Sequence, residues 1–239
     1  MSGAAIKRIA VITMLTDHLG AAFFYIFTSS YDGTAAFAGA DLCYQMLRIV
    51  GRTSFPLFCF LIVEGFLHTR SMGRYMLRLF VFALLSELPF DLAFHDSMWD
   101  MSMQNVFFTL LFGLLALFAL RWGQEKCMAR AGRWKLCYVT GWIGAAVCVC
   151  VAQLFRTDYG GVGVVLILVL YLLRNERVWA CMGGYAVMCL GAMESWCFPA
   201  FLFFLPVYNG ERGTGSKYFF YFFYPVHLLA LAGVRILCL

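Results

Sequence analysis

Asp17 and His18 stand side by side within IAVITMLTDHLGAAFFYIFT, an otherwise apolar stretch. A charged side chain at the bilayer centre costs about 2.5–3.5 kcal/mol on insertion scales, so such a pair marks either chemistry or a polar contact between helices. Histidine titrates near neutrality and can serve as base, acid or nucleophile. Neighbouring residues on a helix point about 100° apart. Asp17 is therefore badly placed to orient His18, which should face a partner on another helix. A packed hydrogen bond between helices is the competing reading.

Further ionisable residues recur in later apolar stretches. In LRIVGRTSFPLFCFLIVEGFLHT, Arg48 and Arg52 share a face at i,i+4, as do Glu64 and His68. Pro56 interrupts the helical ladder there, and Gly51 and Gly65 admit close neighbours. In YMLRLFVFALLSELPFDLAF, Arg78 lies near one end, and Glu87 and Asp91 flank Pro89. Two carboxylates on one face call for an arginine, with Arg48 or Arg52 as candidates, or for a substrate cation. Asn105 could hydrogen-bond them. Asp158, in DYGG, reads as a turn residue, and His227, two residues after Pro225, falls in the middle of the last apolar stretch. His95 and Glu194 sit near the ends of stretches and read as solvated.

The elements that must position these residues are membrane helices. Segments of about 17–25 apolar residues, rising about 1.5 Å each, cross a hydrocarbon core of about 30 Å. Nine are expected, with a margin of one: about 6–28, 42–68, 74–94, 104–122, 136–155, 160–173, 178–194, 197–208 and 218–238. The sixth and eighth are short and could be tilted partners or re-entrant pieces. The composition agrees, with 63% hydrophobic and only 13% charged residues, against about 25% charged in soluble domains. The fold class expected is all-α, a polytopic transmembrane helix bundle forming a single domain over residues 1–239.

Most basic residues fall in one set of loops, including Lys7, Arg8, Arg70, Arg74, Arg121, Lys126, Arg130, Arg133, Lys135, Arg174, Arg177, Arg212 and Lys217. The other set holds Arg156 with Asp32, Asp41, Asp96, Asp100 and Asp158. The positive-inside rule then puts the N-terminus in the cytoplasm. The net charge of +5 follows from this asymmetry and implies no nucleic-acid partner. The first stretch reads as a retained helix, since Asp17 and His18 would break the apolar region of a cleaved signal. The ten cysteines show no CxxC or Cys/His metal spacing, so neither a disulfide framework nor a metal site is expected. No Walker loop, HExxH, GxSxG or post-strand GxGxxG occurs.

At these blocks the chain resembles the TraX family of integral membrane proteins. The resemblance runs through KRIAVITMLTDHLG, the two stretches that carry Arg48 to Asp91, QNVFFTLLFGLL, TDYGGVGVVLIL and FYFFYPVHLLAL, and covers most of the chain. It implies N-terminal acetylation of pilin and kinship with membrane acyltransferases that use acetyl-CoA. In those relatives a membrane-helix histidine near an FPxF-like segment is linked to catalysis. Carried onto this sequence, that points to His18, with Asp17, beside Phe55-Pro56-Leu57-Phe58. Acetyl-CoA would be a co-substrate rather than a resident cofactor. Its phosphates would meet His68, Arg70, Arg74 and Arg78 as charge-assisted donors. The acceptor could be a protein N-terminus, a sugar or a small amine, and the location a cell membrane, in bacteria the inner one. The alternatives are a proton-coupled transporter, which the lack of internal repeats disfavours, and a structural subunit joined by intramembrane ion pairs.

Overall fold

A computed structural model describes residues 1–30, 35–95, 97–129, 134–191, 194–214 and 217–238. The orientation charges Asp32, Asp96, Arg130 and Arg133 lie outside the described residues. The chain is all-helical, with no strand among the described residues. Among the described residues nine α-helices run in order: α1 Gly3–Ser30, α2 Ala35–Gly51, α3 Ser54–His68, α4 Met72–Phe94, α5 Val106–Ala129, α6 Trp134–Leu154, α7 Gly160–Leu172, α8 Arg177–Met188 and α9 Lys217–Cys238. Among the described residues three stretches are long and apolar enough to cross a membrane, namely Asp41–His68, Val106–Glu125 and Phe219–Leu237. An exposed stripe on α4 (Leu77, Phe80, Val81, Leu84, Leu85 and Leu88) has the helical spacing of a lipid-facing side.

The nine helices are not the nine expected spans. Residues 42–68 form two helices, α2 and α3, separated at Arg52 and Thr53. Pro56 explains the break: it has no N–H for the carbonyl of Arg52, and its ring crowds that carbonyl. As the third residue of α3 it sits where its N–H would have lacked a partner anyway. Residues 197–208 do not form a spanning helix. They hold the end of a 3-10 turn, Glu194–Cys197, and a π turn, Ala200–Phe204, with Pro199 and Pro206 on either side. The apolar piece Ser195–Phe204 rises only about 15 Å, half the hydrocarbon core. The expected span 178–194 is shortened to α8, which ends in a turn closed by the Gly191 N–H on the Met188 carbonyl.

The chain divides into two compact units. The first comprises Met1–Phe58, Leu84–Asp100 and Met188–Leu239; the second comprises Cys59–Ala83 and Met101–Val187. In the first, α1 packs against α2 and α9 around Ile6, Phe55, Leu57, Met188 and Leu228. In the second, α5, α6 and α7 pack pairwise around Leu114, Leu117, Val164, Leu166 and Ile167. A Cβ on Gly113 would push aside the end of the Ile167 side chain packed there.

Candidate functional site

His18 lies on α1 and meets His227 of α9, with 2.7 Å between His18 Nδ1 and His227 Nε2. The ring planes differ by 3° and the centroids stand 5.0 Å apart. That spacing fits two coplanar rings joined edge to edge by an in-plane hydrogen bond. The direction of the bond follows from the other side of His227, whose Nδ1 lies 2.8 Å from the Phe223 carbonyl. A carbonyl only accepts, so Nδ1 carries the hydrogen and the Nε2 of a neutral His227 carries the lone pair. His18 Nδ1–H is then the donor, which leaves the lone pair of a neutral His18 on Nε2. No protein group hydrogen-bonds that nitrogen among the described residues.

Aromatic rings hold the pair in place. Phe94 and Tyr224 meet the His18 ring edge-on at 5.4 and 5.9 Å, and Phe223 stacks on His227 at 4.9 Å. His227 and Tyr224 are buried, while His18 is half-buried. The tautomer and the ring angle of His18 are thus set by groups other than those at Nε2, as second partners set them for other histidine rings.

Asp17 points elsewhere. Arg48 Nη1–H donates to its Oδ2 at 2.6 Å, with side chains 18% and 14% exposed for Arg48 and Asp17. The crossing of α1 and α2 depends on glycine. A Cβ on Gly51 would collide with the Asp17 side chain and backbone, and one on Gly20 would lie 3.0 Å from Leu47 Cβ. Arg52 lies one helical turn beyond Arg48, and the two line a cavity with Asp41, Tyr44, Gln45 and Trp196.

Arg48, one of the two arginines expected to meet Glu87 or Asp91, pairs with Asp17 instead. Asp91 is 1% exposed and spent locally: its Oδ2 accepts the Asp100 N–H at 2.9 Å, and its Oδ1 lies 3.5 Å from His95 Nδ1. His95, expected to be solvated, is only 18% exposed and lies between Asp91 and Asp100. Glu87 is half-buried. Asn105 caps α5, its Oδ1 accepting the Phe107 N–H at 3.0 Å, while its Nδ2–H donates to the Ala83 carbonyl at 2.8 Å. Asp158 is exposed in a turn, its N–H donating to the Gln104 carbonyl at 2.9 Å.

His68, Arg70 and Arg74 are exposed around the turn between α3 and α4, in the second unit. His68 Nδ1–H donates to the Glu64 carbonyl at 2.9 Å, with the Glu64 carboxylate 3.8 Å away. Arg78 is half-buried and stands over the Tyr75 ring at 5.7 Å.

Some contributors escaped the sequence reading. Arg235 is buried and donates to the Ala93 carbonyl at 2.9 Å, fastening α9 to α4. Its position in an apolar run was a signal of the same kind as that at Arg48. Phe94 and Trp196 carried no signal, since a lone aromatic in so aromatic a chain is unremarkable.

The profile of the family described as TraX protein matches residues 2–235. A Dichelobacter nodosus protein described as "Probable fimbrial assembly protein FimC, serogroup H1" is 31% identical over 258 residues, covering 96% of this chain and 94% of that protein. No solved structure matches.

Proposed function

This chain belongs to the TraX family, and from that premise we propose that it is a membrane-embedded acetyltransferase with His18 as its general base. The single observation that carries the reading is the polarised histidine pair. A chain of Phe223 carbonyl, His227 and His18 leaves one oriented lone pair on His18 Nε2, inside an aromatic cage. A base held in one tautomer contributes about 10²–10⁴-fold to a proton-transfer step.

The donor in this reading is acetyl-CoA, and the acceptor is an amine or hydroxyl. His18 Nε2 takes the proton of the acceptor as its nitrogen or oxygen bonds to the thioester carbonyl carbon. The C–S bond then breaks, and the departing CoA thiolate recovers the proton from His18. His227 shares the positive charge while it is present. The exposed cations Arg70 and Arg74, with His68 and Arg78, are the proposed donors to the CoA phosphates. The description of the Dichelobacter nodosus relative supports a fimbrial or pilin subunit as the first acceptor to try, its N-terminal amine supplying the nucleophile. The proposed location is the cytoplasmic membrane of a bacterium, with the N-terminus on the cytoplasmic side.

The test is transfer of isotope-labelled acetyl from acetyl-CoA by the purified chain in liposomes, with a pilin subunit, envelope sugars and small amines as acceptors. Products are identified by mass spectrometry. Labelled product from the wild type, reduced at least a hundredfold by His18→Ala, is the expected result. Equal transfer by the His18→Ala protein would remove His18 from the mechanism.

A further inference from the structure

The first unit holds a cavity of about 320 Å³, separate from the histidine pair, between α2 and the 3-10 turn Glu194–Cys197. Its walls carry an ordered set of charges. Asp41 comes first along α2, then Tyr44 and Gln45, then Arg48, and finally Arg52 just past the helix end, with the Trp196 ring facing them. The volume falls at the low end for small-molecule sites, whose usual range is about 300–1,000 Å³.

Depth limits the ligand. Asp41 opens the membrane-capable stretch Asp41–His68, whose 28 residues exceed the roughly 20 that the hydrocarbon core needs, even with the break at Arg52. The first residues of the stretch therefore lie among the headgroups, with Tyr44 and Trp196 at the depth where such rings concentrate. Arg48 and Arg52 lie one and two turns deeper than Tyr44. Arg48 spends Nη1 on Asp17, and the rest of its guanidinium has no hydrogen-bond partner among the described residues. Two guanidinium groups a turn apart suit a tetrahedral phosphate, which offers oxygens to both. Asp41 at the outer end, held at 2.8 Å by the Gln45 side-chain amide, suits a cation beside aromatic faces. A negative mouth over a positive floor is the complement of a headgroup with its ammonium outermost and its phosphate beneath.

We propose that this cavity binds the headgroup of an ammonium-bearing phospholipid, with the phosphate on Arg48 and Arg52 and the ammonium near Asp41, between Tyr44 and Trp196. The site is independent of acyl transfer. Because Arg48 also holds Asp17, the lipid would be seated against the ion pair that joins α1 to α2.

The experiment is native mass spectrometry of the full chain released from detergent, titrated separately with phosphatidylethanolamine, phosphatidylglycerol and soluble phosphoethanolamine. Wild type should retain one phosphatidylethanolamine, bound about tenfold or more tighter than phosphatidylglycerol. Arg52→Gln and Asp41→Asn should each weaken it about tenfold. Trp196→Ala, a change at an exposed ring, should weaken it while leaving the fold intact. Saturation by soluble phosphoethanolamine at equal concentration would support the same headgroup chemistry and assign it to a free ester rather than a lipid. Equal retention of phosphatidylglycerol would overturn the ammonium assignment. Retention unchanged in all three variants, or absent in the wild type, would overturn the site.

Discussion

The Asp17–Arg48 pair offers a quantitative test of how the first unit is held together. Arg48→Ala removes the cation 2.6 Å from Asp17 Oδ2 and leaves a carboxylate with little access to solvent. Its other oxygen, Oδ1, is already buried with no hydrogen-bond partner among the described residues. Breaking a buried ion pair from one side costs about 3–5 kcal/mol. The residual exposure of both side chains, 18% and 14%, places this pair near the lower limit, about 3 kcal/mol. For a chain of this size that corresponds to about 6–12 °C in unfolding midpoint. Replacing both partners by neutral groups of similar shape, as in Asp17→Asn with Arg48→Met, should recover much of the loss, since no charge is then stranded. The assay is thermal unfolding of purified protein in one detergent, with Asp17→Asn, Arg48→Met and their combination as the double-mutant cycle beside Arg48→Ala. If the single substitutions shift the midpoint by less than about 2 °C, or the double variant equals their sum, the pair does not hold α1 to α2.

Other outcomes follow from the same geometry. Gly51→Ala places a methyl group into Asp17 and should cost at least the 1–3 kcal/mol of an overpacked contact, while Gly39→Ala, with open space around it, should leave the midpoint unchanged. Asn105→Ala removes the α5 cap and the bond to the Ala83 carbonyl and should cost about 1 kcal/mol or somewhat more, measured in the same unfolding assay. If Arg70 and Arg74 hold the CoA phosphates as proposed, Arg70→Ala with Arg74→Ala should raise KM for acetyl-CoA about tenfold or more with kcat unchanged, because the phosphates do not react.

Much of the architecture was legible because the bilayer demands it. Backbone groups in lipid must be satisfied within a helix, so apolar runs of sufficient length could be read directly as helices. Pro56 announced the break at Arg52 for local reasons. The eighth expected stretch was short enough in sequence to be less than a full span, and Ser195–Phe204, rising about 15 Å, is such a short piece. The site was legible in its parts and not in its pairings. Asp17, His18, Arg48 and His227 each stood out as costly residues in apolar surroundings. Their partners depend on contacts such as that between His18 and His227, 209 residues apart, and on the glycine-dependent crossing of α1 and α2. His95 stands between Asp91 and Asp100 rather than in solvent, and Asp91 is satisfied by the backbone of its own connecting loop, which no spacing rule reports.

The central claim is that His18 is the base and that His227 sets its tautomer. Its most direct test is steady-state acetyl transfer by wild type, His18→Ala and His227→Phe in the same liposomes, with kcat and KM resolved for acetyl-CoA. The account predicts a loss of about 10²–10⁴-fold in kcat for His18→Ala. It predicts a smaller loss for His227→Phe, confined to kcat with KM unchanged, because that histidine acts only through His18. A His227→Phe protein with full kcat, or with a change in KM alone, would contradict it.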